Sequence, residues 1–250
     1  MAIILSMPEG PSLIIAKEEM IPFIGKKVLS VTGNSKIDKE RIVSKKLIDI
    51  KTWGKHLLFC FNDFALRIHF LMFGKYLVNA KKDTVPRLSL KFSKGEINLY
   101  TCAIKVIEEP LDEVYDWTSD VLSDQWDPKK AKKKLLINPD MLVTDALLDQ
   151  TLFSGVGNII KNEVLYRIKI HPKNTISALP ARKLNEMIRE ARNYSFDFLK
   201  WKKEYTLRKH WLVHTKKICE RDGSKIVKEY LGKTNRRTFF CNTCQKIYQG

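Results

Sequence analysis

The chain contains no uncharged apolar run approaching the ~18–20 residues that a membrane span requires. Its opening Ala2-Ile3-Ile4-Leu5 is too short for the apolar centre of a signal peptide. It has no basic residue before it and runs straight into Pro8-Glu9-Gly10-Pro11. The expectation is a cytoplasmic protein without a membrane partner. Cysteine is scarce as well: Cys60, Cys102, Cys219, Cys241 and Cys244 make five, an odd number. Without a signal peptide, that count argues against a disulfide framework. Cys60 and Cys102 sit in apolar, strand-like surroundings and read as buried core thiols, whereas the other three cluster near the C-terminus. The sequence has no internal repeat and no low-complexity tract.

Acidic residues are few too, 28 against 45 Lys and Arg, so the 250-residue chain carries +17. With 44% apolar and 29% charged residues the balance is globular, which excludes wholesale disorder. The length suffices for one or two domains with a real core. So large a positive excess suits a polyanion, and nucleic acid is the first candidate. The excess is uneven. Residues 200–250 hold 14 Lys/Arg and four acids, a net of +10, whereas residues 106–128 hold eight acids and no base. A phosphate backbone would repel that acidic stretch. It reads as a connector over 111–128, following an N-terminal domain over 7–110. The lysine run Lys129-Lys130-Ala131-Lys132-Lys133-Lys134 behind it reads as a solvated face.

Residues 11–24 carry Leu13, Ile14, Met20 and Ile21, with Pro11 in the first turn and Gly25 as a stop, which predicts a helix. From 28 to 107 short β-branched and aromatic runs predict antiparallel sheet, with breaks at Asn62-Asp63 and Gly74. The period turns helical over 129–200. Ile160, Val164 and Ile168 share one face, and Leu184, Met187, Ile188, Ala191 and Phe198 make a second stripe after Pro180. The tail 215–250 is basic and β-like. The fold class is therefore α+β.

Three constellations could carry chemistry. In the tail, Cys241-Asn242-Thr243-Cys244 can hold one side of a tetrahedral zinc site, and Cys219-Glu220-Arg221-Asp222 stands at the spacing of a second knuckle. Asp222 occupies the position of its second ligand. The set is either a Cys3Asp zinc site or a degenerate site with weak or no metal. Between the knuckles, Arg236-Arg237-Thr238-Phe239-Phe240 reads as the returning strand of a hairpin, with arginines near its turn to meet phosphate or base. The second constellation is Gly155-Val156-Gly157-Asn158, a tight turn in which Asn158 caps a new helix whose free N–H groups suit an anion. The third is Met7-Pro8-Glu9-Gly10-Pro11. If the chain begins at Met7 and loses it, Pro8 becomes a free secondary amine. With a pKa of ~8, roughly a tenth of such an amine is neutral at pH 7. A neutral amine can attack a sugar C1′ to form an iminium ion, and Glu9 beside it could protonate a leaving group or ring oxygen. Translation from Met7 is accordingly expected, because with Met1–Ser6 attached Pro8 is an amide nitrogen.

Together these pieces resemble the bifunctional DNA glycosylases that include formamidopyrimidine-DNA glycosylase and endonuclease VIII, over nearly the whole chain from Met7. The start at 7–11 looks like the endonuclease VIII form. Trp53-Gly54-Lys55-His56-Leu57-Leu58 looks like the family's β-hairpin lysine motif, and Gly155–Asn158 followed by Asn162-Glu163 like its helix–two-turns–helix element. Arg236 stands five residues before Cys241, where the zinc-finger arginine stands, and His69-Phe70-Leu71-Met72-Phe73-Gly74 matches the loop of intercalating residues. The resemblance implies an N-terminal antiparallel β-sandwich with a leading helix, a helix–two-turns–helix domain over 129–214, a zinc-finger hairpin over 215–250, and DNA in a basic cleft. Pro8 would be the nucleophile and Glu9 the acid. Lys55, counted with them in the catalytic set, would grip the phosphates flanking the lesion together with Asn158 and Arg236. Leu71, Met72 and Phe73 would fill the gap of the flipped base, where an apolar wedge offsets lost stacking. Zn2+ would sit on Cys219, Asp222, Cys241 and Cys244.

The function expected is that of a base-excision-repair glycosylase with AP lyase activity. It would act as a monomer on double-stranded DNA in a bacterial-type, nucleoid-associated setting and favour oxidised pyrimidines by β,δ-elimination. Its rivals are a catalytically silent damaged-DNA binder of the same fold and a generic zinc-ribbon nucleic-acid binder.

Overall fold

The computed structural model describes residues 8–249; what was expected of Met1–Met7 lies outside the described residues. The chain divides into two compact units, the first ending at Tyr115 and the second starting at Asp116.

The first unit opens with helix α1 (Gly10–Met20), which carries Pro11 in its first turn and buries Leu13, Ala16 and Met20. The helix expected to reach residue 24 ends at Met20 and continues as a 3-10 turn over Ile21–Phe23. Pro22 explains the difference: it has no N–H to give, and its ring collides with the carbonyl four residues back. Gly25 follows at φ +82°, the left-handed value that ends the run.

Six strands follow: β1 (Ser30–Thr32), β2 (Asp49–Trp53), β3 (His56–Cys60), β4 (Ala65–Val78), β5 (Leu88–Phe92) and β6 (Gly95–Ile107). All pair antiparallel in the order β1-β5-β6-β4-β3-β2. The two long strands change neighbours along their length. The first half of β4 pairs with β3 and with 102–107 of β6, and the second half pairs with 97–100 of β6, where β5 joins from the other side. The sheet thus has two halves joined through β4 and β6. Ile50, Phe59, Leu66, Leu90 and Leu99 from both halves enter one core cluster with Leu13 and Phe23.

The acidic stretch is divided between the units. Helix α2 (Leu111–Val114) belongs to the first. Residues 116–127 are built into the second: Val121 is fully buried in its core, and Asp127 accepts from Lys129 N and Lys130 N at the head of α3 (Pro128–Leu136). Asp116 pairs with Lys130 and Lys134 at 3.0 and 3.2 Å. Against the upward pull of burial, bonds from Thr118, Lys130 and Lys134 hold its carboxyl well below the usual carboxylate range. Asp116 and Asp127 engage the lysine run, so part of that run is ion-paired and not merely solvated.

Beyond α3 come α4 (Val143–Leu148), α5 (Asn158–Arg167) and α6 (Ala181–Lys203). The α6 stripe, Leu184 to Phe198, is buried as expected in a core with Leu147, Phe153, Ile160 and Val164. Strands β7 (Val227–Leu231) and β8 (Arg236–Phe240) close the unit as a hairpin.

Candidate functional site

In the first unit Pro8 is half-buried and Glu9 only 5% exposed, immediately before α1. Glu9 occupies the N-cap position, and Ser12 N bonds to its backbone oxygen at 2.8 Å. Its carboxylate makes no capping bond to the helix.

Lys55 sits in the two-residue turn that joins β2 to β3, with Trp53 facing His56 across the pair. Gly54 supplies φ +52°, which such hairpins demand at their first turn position. Behind this turn lies a pair that the sequence reading passed over. His56 stands opposite His69 in the β3–β4 register, with the rings edge-on at 5.3 Å, beside Trp53 and Tyr115. His69 is hydrogen-bonded to the Lys55 backbone, so β4 steadies the lysine turn. Burial, aided by Arg67, His69 and Lys55, lowers the His56 pKa to about 4 and keeps the imidazole neutral at pH 7. The signal was available: the Asn62-Asp63 break is the turn between β3 and β4, closed by Phe61 N bonding Phe64 O at 2.9 Å, and it fixes the register that sets both histidines opposite each other on one face.

Leu71, Met72 and Phe73 are 44%, 56% and 54% exposed. They do not form a hairpin loop. They lie within β4, where its register with β6 shifts between Phe70 and Lys75 and Phe73 takes φ +71°. A bulge leaves residues unpaired and turns their side chains outward. Gly74 is therefore no strand break. A Cβ there would meet Phe70 Cβ at 2.7 Å and Thr101 O at 2.8 Å, so the bulge closes only over glycine.

The second unit places Asn158 and Arg236 on neighbouring segments. Asn158 is the first residue of α5 and does not cap it; Gly157 holds the N-cap position. The Asn158 amide donates to Arg237 O at 2.8 Å, and its Oδ1 is buried with no hydrogen-bond partner among the described residues. Gly155 takes φ +95°, so the turn before the helix needs glycine there. Arg236 opens β8 and is exposed, opposite Leu231.

Helix α5 carries more than its predicted apolar face. Lys161, Asn162 and Glu163 are 0%, 1% and 0% exposed. Glu163 accepts backbone N–H bonds from Leu212, Val213 and His214 at 2.8–3.0 Å. Burial pushes its carboxyl above the ordinary value, against the pull of those N–H groups and of Arg167. The Asn162 amide lies 3.0 Å from His214 Nδ1, and Lys161 Nζ donates to Thr238 Oγ1 at 2.8 Å. The 3.6-residue period registers apolar side chains only, so it could not assign these polar residues to the interior.

Cys219, Asp222, Cys241 and Cys244 come together as the knuckle spacing predicts, with their ligand atoms all within 4.8 Å of one another. Cys219 Sγ and Cys244 Sγ are 3.8 Å apart, and Cys241 Sγ lies 3.3 Å from Asp222 Oδ2. A tetrahedral ion with bonds of ~2.3 Å to sulfur and ~2.1 Å to oxygen would space those pairs by about 3.8 and 3.6 Å. The set could hold a metal ion. Tyr166 Oη, 3.1 Å from Cys219 Sγ, and Arg221 Nη1, 3.5 Å from Cys244 Sγ, surround its sulfurs. Cys102 is buried as expected, with its thiol pushed up to about 12 by burial, whereas Cys60 is only partly buried. Among the described residues no helix is long and apolar enough to cross a membrane.

Known proteins fit this geometry. The formamidopyrimidine-DNA glycosylase N-terminal domain matches residues 7–103, and the H2TH domain of the same enzymes matches 118–195. Endonuclease 8-like 3 of Mus musculus is 30% identical over 206 residues, covering 79% of this chain and 34% of that protein. Endonuclease 8-like 2 of the same organism is 35% identical, covering 72% and 57%. The chain thus spans about a third to just over half of the length of these relatives. The formamidopyrimidine-DNA glycosylase of Mycoplasmopsis pulmonis is 29% identical and 83% of each chain is covered. A crystal structure of the Lactococcus lactis formamidopyrimidine-DNA glycosylase, non-covalently bound to DNA with an AP site, superposes with a TM-score of 0.83 at 25% identity, covering 95% of this chain and 99% of that one. Two domain models in the order of the two units, together matching well over half of the sequence, and a backbone that superposes almost end to end leave one assignment: the chain belongs to the formamidopyrimidine-DNA glycosylase and endonuclease VIII family.

Proposed function

We propose that this protein is a base-excision-repair DNA glycosylase with AP lyase activity on double-stranded DNA, with oxidised pyrimidines favoured over oxidised purines. In this reading a free Pro8 amine attacks C1′ of the damaged nucleotide while Glu9 supplies the proton that the departing base or opening ring requires. The resulting iminium acidifies C2′. Loss of that proton expels the 3′ phosphate, a second elimination expels the 5′ phosphate, and water releases the sugar remnant from Pro8. The observation that carries the reading is the Pro8-Glu9 pair at the head of α1, with Glu9 buried at the N-cap position. Lys55, Asn158 and Arg236 supply phosphate contacts in this scheme, and Leu71, Met72 and Phe73 supply the wedge. The enzyme works as a monomer in the cytoplasm.

Glu9→Gln tests the acid. The amide keeps the shape but cannot titrate, so the variant should bind a lesion duplex and fail to release an oxidised base. Normal base release by Glu9→Gln would remove Glu9 from the role. Retained binding with no cleavage by the unaltered protein would instead favour the silent damaged-DNA binder.

Zinc is the metal proposed for the Cys219, Asp222, Cys241 and Cys244 set, as a structural ion that fixes the base of the β7–β8 hairpin. Elemental analysis should find one zinc per chain, and Asp222→Cys should retain it more tightly, because thiolate is the softer ligand. Well under one zinc with DNA binding intact would contradict this.

A further inference from the structure

The family scheme leaves one buried cation of the second unit unexplained. Lys161 lies in the second turn of α5 and is fully buried. Its ammonium donates to Thr238 Oγ1 at 2.8 Å, and the Thr238 hydroxyl spends its own proton on Arg236 O at 3.0 Å. Donors and acceptors balance along this path, since a hydroxyl has two lone pairs and one proton. One turn earlier on the same face, Asn158 donates to Arg237 O at 2.8 Å. Two side chains of α5 therefore hold successive peptide groups at the start of β8, where Arg236 is exposed. The tip of the hairpin is pinned separately: Asp145 of α4 accepts from Lys233 N at 2.8 Å, and a Cβ on Gly232 would collide with the Asp145 carboxylate. The cysteine–aspartate cluster holds the other end of β8, at Cys241.

We propose that Lys161 is a positioning residue for Arg236, setting the backbone from which that guanidinium reaches DNA phosphate through Thr238. The inference rests on the reading of Arg236 as a phosphate contact. A buried lysine is an unusual choice for holding a strand, because burying an ammonium is costly unless it is well hydrogen-bonded. What it adds over an apolar residue is a strong, directional donor. A charge-assisted bond to Thr238 resists sideways slip in a way that packing does not. The relay also acts from the helix and not from the metal cluster, so its loss is separable from loss of the ion.

The test is a double-mutant cycle read as affinity for a duplex carrying a tetrahydrofuran abasic-site analogue. Lys161→Met and Thr238→Val keep the volume and remove the relay, and Arg236→Ala removes its endpoint. Lys161→Met and Thr238→Val should each weaken binding by about tenfold, the scale of one charge-assisted hydrogen bond. In the Arg236→Ala background neither should weaken it further, and metal content should match the unaltered protein. Full additivity with Arg236→Ala, or no effect of Lys161→Met and Thr238→Val while Arg236→Ala weakens binding, would overturn the proposal. An Arg236→Ala variant that binds normally would sink the phosphate-contact reading instead, which is a different outcome. Should one of the two variants not fold, the other decides, because Lys161→Met removes the buried charge whereas Thr238→Val keeps it and removes only its hydroxyl acceptor.

Discussion

Two triplets in this molecule invert the ordinary rule of burial, in opposite directions. Leu71, Met72 and Phe73 are apolar and about half exposed, whereas Lys161, Asn162 and Glu163 are polar and closed to solvent. The first triplet sits on a bulge that interrupts the β4–β6 ladder and leaves about half of each side chain open to solvent. In the second, each side chain bonds a specific partner, Lys161 to Thr238, Asn162 through its amide nitrogen to His214, and Glu163 to the backbone of 212–214. Three consecutive exposed apolar side chains are informative about contact with something else, and a buried polar group about what holds the scaffold in register. Mutations in the two triplets should therefore separate stability from binding.

The largest effect is expected at Glu163. Glu163→Ala strands three backbone N–H groups and should cost about 3–5 kcal/mol of unfolding free energy, measured in urea. A loss below about 1 kcal/mol would mean that water replaces the carboxylate and that α5 is not the anchor described.

Acid comes next. His214 and His56, one in each unit, are both held near a pKa of about 4, chiefly by burial. Their folded pKa lies below the unfolded value of ~6.5, so between these values only the unfolded chain takes up the protons. Stability is full above about pH 6.5 and falls as pH drops toward 4, by up to about 3 kcal/mol for each histidine. Urea midpoints at pH 7, 6 and 5 should fall in that order. A flat profile would show that both rings protonate freely in the fold.

Gly232→Ala should cost about 1–2 kcal/mol, since φ is +77° and the new Cβ would strike the Asp145 carboxylate. Asp145→Ala in the same protein should relieve part of that cost by opening the space. Failure to relieve it would assign the whole effect to backbone strain.

The smallest stability effect and a clear binding effect are expected together at the bulge. Leu71→Ala, Met72→Ala and Phe73→Ala should each move the unfolding free energy by only about 0.5 kcal/mol, as exposed positions do. Affinity for an abasic duplex should nonetheless fall several-fold if they wedge the stack. Equal loss of stability and affinity would collapse the distinction between the two triplets.

The sequence revealed these regions unequally. The order of sheet and helices, the α6 stripe and the cysteine–aspartate cluster were readable, because periodicity and ligand spacing are local properties. The single strand β4 was not: Gly74 looks like a break in one dimension and becomes a bulge only when Phe70 and Thr101 crowd it in three. The helix end at Met20 was missed because the apolar pattern continued through Pro22. The role of Asp116 and Asp127 was missed because net charge was read as repulsion from DNA, when Lys130 and Lys134, 14 and 18 residues on, pair with Asp116 and the backbone N–H groups of Lys129 and Lys130 bond to Asp127. Glu163 and Lys161 stayed hidden because their partners lie some 50 and 77 residues further along the chain.

The central claim is that chemistry starts at the Pro8 nitrogen, and borohydride trapping on an abasic duplex addresses it most directly. Two proteins are compared, one whose N-terminus is Pro8 and one that retains residues 1–7, each verified by mass spectrometry. An amide nitrogen has its lone pair delocalised into the carbonyl and cannot attack. The Pro8 form should give a covalent adduct and nick the strand, while the longer form binds without an adduct. Equal trapping by the longer form would eliminate Pro8 as the nucleophile and turn attention to a lysine, with Lys55 first.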